Sequence, residues 1–115
     1  PYGLWTGNVF RGVVQRLENG KYVPVPYAEI EVEFANHDID MAANAFKKEA
    51  KATAPNDACE CQTILANAQG EFSYAVPKAG WWGFAALGAG GDLKYKGKEL
   101  SLDAVIWCYA YDMKK

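Results

Sequence analysis

Hydrophobic and polar residues alternate with a period of two along most of the chain. Ala28, Ile30, Val32 and Phe34 are interleaved with Glu29, Glu31 and Glu33, which predicts a half-buried strand with an acidic outer face. Phe10 to Leu17 predicts an earlier strand, Glu18-Asn19-Gly20-Lys21 its turn, and Tyr22-Val23 the return. Pro24 and Pro26 then require an edge or a crossing before the acidic strand. Cys61 to Leu65 and Phe72 to Val76 are two further strands, with Asn67-Ala68-Gln69-Gly70 between them as a hairpin turn ending in Gly. Trp81 to Leu87 follows. Gly88 to Asp92 is expected to be a flexible loop, and Lys94 to Glu99 a short exposed hairpin around Gly97. In the last strand Val105, Trp107, Tyr109 and Tyr111 share one face, and Ala104, Ile106, Cys108 and Ala110 the other.

The run Pro77-Lys78-Ala79-Gly80-Trp81-Trp82-Gly83-Phe84-Ala85-Ala86-Leu87 is the most informative stretch. Adjacent Trp residues on a strand face opposite ways, so one ring fills the core and the other covers a second surface. Gly80 and Gly83 leave room beside the rings. One segment departs from the period of two: Asp40 to Ala52, rich in Ala and Lys, predicts a short surface helix in a crossover, capped by Asp40 and ended by Thr53 to Asp57. About seven strands with turn signals predict an all-β chain, a β-sandwich of one domain over residues 1–115.

Composition narrows the function classes. Half of the 115 residues are hydrophobic, with four Trp, seven Tyr and five Phe, which is enough for a packed core and argues against disorder. The net charge of −2 and the lack of a basic patch give nucleic-acid binding no electrostatic support. No apolar run reaches the length of a membrane span. The chain opens at Pro1 without an initiator Met, the expected start of a processed or excised part of a longer secreted protein. One His, with no Gly-x-Ser-x-Gly, His-Glu-x-x-His or phosphate-loop pattern, leaves no catalytic constellation, so the chain reads as a non-enzyme.

Three elements carry candidate chemistry. Cys59-Glu60-Cys61 places two sulfurs on one strand face, where both reach a single soft metal ion or one pairs with Cys108. The plainer reading makes Cys108 a small core residue and the pair incidental or part of one disulfide. A bridge between Cys59 and Cys61 themselves is disfavoured in an extended strand. Asn36-His37-Asp38-Ile39-Asp40 holds the single His, and His37 with Asp38 suits nickel or cobalt if further donors join. Its plainer reading is a turn made by Asn36 and Asp38, with Asp40 as a cap and His37 exposed. The Glu29, Glu31 and Glu33 ladder attracts cations in general, or is a solvated face paired with Lys94, Lys96 or Lys98. Exposed Trp5, Trp81, Trp82, Trp107, Tyr109 or Tyr111 would instead make a docking or stacking face.

Taken in order, the segments 24–33, Gln62-Thr63, 68–74, 77–87, Lys96-Gly97-Lys98 and Asp103-Ala104-Val105-Ile106-Trp107 carry a family resemblance. From about Phe10 to Tyr111 the chain resembles the C-terminal domain of bacterial periplasmic components of cobalt/nickel uptake systems of ABC or energy-coupling-factor type. The Gly-Trp-Trp-Gly-Phe block with the downstream Ala-Val-Ile-Trp is its most specific part. The resemblance implies a prealbumin-like sandwich, an extracytoplasmic (periplasmic) location, and a role in metal uptake with transporter subunits and a divalent ion, Ni2+ or Co2+, as partners. Members of that family also carry a His-containing N-terminal segment, to which none of these residues corresponds. The reading from a different class is a structural or adhesion module that binds a protein or glycan through exposed aromatics.

Overall fold

The computed structural model describes residues 4–52 and 61–114. Over these residues the chain is all-β, with ten strands: β1 (Val9–Val13), β2 (Gln15–Glu18), β3 (Lys21–Pro24), β4 (Glu29–Phe34), β5 (Ile39–Asp40), β6 (Ala45–Phe46), β7 (Gln62–Leu65), β8 (Glu71–Ala75), β9 (Gly80–Tyr95) and β10 (Lys98–Ala110). The main sheet has the order β10-β9-β4-β7, and β1 pairs with β8 to form a second sheet. All named strand pairs are antiparallel. The two sheets pack face to face as a sandwich around an apolar core; among the described residues no polar or charged side chain is buried.

Aromatic rings hold the layers together. Phe84 of β9 stacks on Phe10 of β1 with centroids 4.5 Å apart, and lies 6.0 Å from both Phe72 and Tyr74 of β8. Trp82 meets Phe34 at 5.0 Å and Tyr74 at 5.8 Å, and its indole N–H donates to the Lys78 carbonyl at 2.8 Å. The tandem Trp divides as the alternation requires: Trp82 is 7% exposed and Trp81 49%. Both flanking glycines are needed for close approach. A Cβ on Gly83 would lie 2.7 Å from the Trp107 ring, and one on Gly80, whose φ is 131°, would lie 2.8 Å from the Phe34 ring. At the C-terminal end of β10 the expected faces hold, with Cys108 and Ala110 buried and Trp107 exposed, whereas Ala104 and Ile106, of the same set as Cys108, are exposed.

Three local expectations are corrected. Asp40 to Ala52 is not helical: β5 and β6 pair as a tiny hairpin, Ile39 opposite Phe46 and Asp40 opposite Ala45. Asp40 does accept the Ala42 and Ala43 N–H groups, as an N-cap would, but Asn44 at φ 50° turns the chain back. Met41 and Phe46 are both exposed, so a helix here has no apolar face to bury, and propensity alone does not sustain so short a segment. Gly88 to Asp92 is no loop but the middle of the long β9, irregularly paired where Ala104 opposite Ala86 gives way to Leu102 opposite Gly91. The turn at Asn67 to Gly70 forms as expected, with Asn67 Oδ1 accepting the N–H groups of Gln69 and Glu71 at 2.9 Å. It joins two sheets rather than two paired strands, because β7 bonds to β4 and β8 to β1. The expected turns at Asn19-Gly20 and Lys96-Gly97 are present, with φ positive at both residues of each, as tight hairpins require.

Truncating the ring shared by both sheets should be severe. Phe84→Ala is expected to lower stability by about 3–5 kcal/mol in urea unfolding, a large part of what a domain of this size has. A loss below about 1 kcal/mol would show that the stack does not hold the layers.

Candidate functional site on the outer face of the main sheet

Because Ile30, Val32 and Phe34 turn inward, Glu29, Glu31 and Glu33 stand on the outer face of β4. The antiparallel register sets Glu31 opposite Thr63 and Val32 opposite Gln62, so the same alignment brings Cys61 beside Glu33. Cys61 Sγ lies 3.9 Å from Glu33 Oε1. Among the described residues, Glu31, Glu33 and Cys61 form a group whose ligand atoms all lie within 4.8 Å of one another. Partial desolvation against the sheet pushes the Cys61 thiol above its ordinary pKa, and the two carboxylates, one of them its hydrogen-bond acceptor, push it the same way. At neutral pH the thiol is therefore protonated. A bound cation would reverse that balance, attracting the thiolate and offsetting the repulsion between the carboxylates.

The lysines expected to pair with this ladder do not reach it. Lys94, Lys96 and Lys98 lie at the far end of the β9–β10 ribbon, whereas β4 pairs with β9 over Phe84 to Ala86 and neighbouring residues. Among the described residues, the ion pair present is Lys51 with Asp38, at 2.8 Å. Its hydrogen bond and positive charge hold the Asp38 carboxyl below the usual range.

Each residue expected to ligate metal now has a position. Cys61 is in the cluster. Cys59 lies outside the described residues. His37 Nδ1 is 2.9 Å from the Lys47 carbonyl and Asp38 is paired with Lys51, both in the β5–β6 element and neither among the grouped ligand atoms. That element is tied by Asn36, whose side chain donates to the Ala52 carbonyl and accepts from the Ala52 N–H, both at 2.8 Å. Cys108 is 2% exposed on the inner face of β10, while Cys61 sits on the outer face beside the opposite edge of the same sheet. The two are three strand spacings apart, beyond disulfide reach. Among the described residues neither is in a disulfide. The pairing of Cys61 with the Glu ladder is visible only once β7 is known to neighbour β4. Alternation places Cys61 and Thr63 on one face but does not name the adjacent strand.

The same face carries an aromatic patch at the other edge. Trp81 meets Tyr109 at 5.3 Å and Tyr109 meets Tyr111 at 4.7 Å, both edge to face. Trp107 covers Gly83. Trp5, bridged to Tyr111, is exposed as well.

Neutralising the carboxylates should be read directly at the thiol. In a Cys59→Ser background, the pH midpoint of Cys61 alkylation by iodoacetamide is expected above that of a simple thiol. Glu31→Gln with Glu33→Gln should lower it, because removing negative charge favours the thiolate. An unmoved midpoint would show that the carboxylates do not face Cys61.

Among the described residues no helix is long and apolar enough to cross a membrane. No curated protein and no solved structure matches the chain. A family model described as Domain of unknown function (DUF4198) matches residues 1–90, most of its length, and the chain belongs to that family.

Proposed function

We propose that this domain is an extracytoplasmic accessory component of a cobalt/nickel uptake system, built as a prealbumin-like sandwich, that binds the divalent ion as cargo or docks a transporter subunit. The observation that carries the metal reading is the convergence of Glu31, Glu33 and Cys61 within 4.8 Å on a rigid sheet face. A thiolate with two carboxylates is a mixed donor set suited to divalent ions between hard and soft, nickel and cobalt among them. Three donors on an exposed face leave coordination positions open, which suits an ion that is handed on. Cys59, two residues upstream, is the natural further donor to test. The resemblance of the Gly-Trp-Trp-Gly-Phe and Ala-Val-Ile-Trp segments to cobalt/nickel uptake components supports the choice of ion and the extracytoplasmic location.

The exposed Trp81, Trp107 and Tyr111 favour a second reading, a structural or adhesion module that stacks a glycan or peptide on its aromatic edge. The two readings separate on metal.

Isothermal titration of the reduced, chelator-stripped domain with nickel and cobalt is expected to show one ion per domain. Glu31→Gln with Glu33→Gln, or Cys61→Ser, should weaken binding at least about tenfold while leaving the melting temperature nearly unchanged, since all three side chains are on the surface. Binding requires Cys61 to lose its proton, so affinity should fall about tenfold per pH unit below the thiol pKa. Equal affinity in both of these variants would remove the site, and no binding at all would leave the aromatic reading.

A further inference from the structure

The two sheets are unequal in width, and the difference leaves a slot. β1 lies over β9, as the Phe10–Phe84 stack fixes, while β10 continues the main sheet one strand further. Nothing among the described residues pairs with the other edge of β1. The result is a cleft of about 540 Å³, floored by Phe84, Ala86, Ala104 and Ile106, with β1 as its wall and Gln15 and Tyr22 at one end. Ile106 belongs to the inward set of β10 yet is 46% exposed, because no strand covers it.

The wall dictates what fits. The Val14 N–H donates to the Gly70 carbonyl, so by antiparallel alternation Gly12 and Phe10 also bond toward β8. Val9, Arg11 and Val13 therefore turn their N–H and C=O groups to the open edge. An open edge above an apolar floor, one strand wide, is the arrangement that accepts an added strand. Charge complementarity narrows the occupant further. Among the described residues lining the cleft Arg11 is charged and none is acidic. A second copy pairing β1 to β1 about a two-fold axis is blocked, because each β10 projects beyond β1 into the place that the partner's β9 would take.

We propose that this slot binds an extended segment of a partner polypeptide, with alternating apolar residues and a flanking carboxylate, as the third strand of the β8-β1 sheet. Its backbone bonds to Val9, Arg11 and Val13, its apolar side chains cover Ile106 and Ala104, and its carboxylate meets Arg11. The slot is on the opposite face of the main sheet from Glu31, Glu33 and Cys61, so the proposal stands or falls apart from the metal reading.

The test is an amide-resolved NMR titration of the domain with a short blocked peptide that alternates valine and threonine between terminal glutamates. Expected are shifts and slowed hydrogen exchange at Val9, Arg11 and Val13, with methyl shifts at Ile106. Proline at the centre of the peptide should weaken binding at least about tenfold, as should Ile106→Lys, which places a charge in the floor at a half-exposed position. Arg11→Pro, which removes an outward N–H while sparing the bonds to β8, is a second block should the lysine variant fail to fold. Shifts confined to Trp81 and Tyr109, or no shifts, would overturn the proposal. So would β1 amides already protected without peptide: independently of concentration they would mean that the chain fills its own slot, and with rising concentration that a second copy does.

Discussion

The contact on which the rest depends is the Phe84 ring, stacked on Phe10 and flanked by Phe72 and Tyr74. Sheets carry no information about which strand of one layer lies over which strand of the other, and backbone hydrogen bonds do not cross the gap. Large aromatic side chains from β1, β8 and β9 supply that alignment, since each buries much area and prefers offset or edge-on neighbours. Once Phe84 points inward, alternation leaves β9 no choice. Trp82 must also be inside, with Trp81 and Gly83 outside, and the paired residues of β4 and β10 follow suit.

Both candidate surfaces follow from that constraint. Inward Ile30 and Val32 oblige Glu31 and Glu33 to face out, and the β4–β7 register then delivers Cys61 beside them. The slot has the same origin, since fixing β1 over β9 uncovers the inner face of β10. One sheet thus presents an acidic thiol cluster on one side and an open apolar recess on the other. An ion bound at the first would not interfere with a strand added in the second.

The readable parts of this architecture are those set by local chemistry. The alternation from Ala28 to Phe34, the split roles of Trp81 and Trp82, the two faces of β10 and the turns at Asn19-Gly20, Asn67-Gly70 and Lys96-Gly97 are legible because each depends on neighbours in sequence. Strand adjacency is not. Nothing local states that β7 lies beside β4, so Cys61 and the Glu ladder read as separate candidates when they are one. The error at Asp40 to Ala52 has a related cause. Alanine and lysine favour a helix, but a segment with no apolar face to dock takes its shape from the bonds of Asn36 and Asp40 to its own backbone and from the ion pair of Asp38 with Lys51. Glycine misleads at Gly88 to Asp92, where several together suggest a loop and instead accommodate irregular pairing within a long strand.

In the proposed metal site, strand register and not the single His decides where a divalent ion sits. Paramagnetic broadening on adding Co2+ to the reduced, nitrogen-labelled domain tests it directly, because the effect falls steeply with distance from the ion. Loss of the amide signals of Glu31, Glu33 and Cys61, with those of Asp38 and the β9–β10 tip retained, is the expected result. Broadening centred on His37 and Asp38, or spread evenly over the surface, would contradict it.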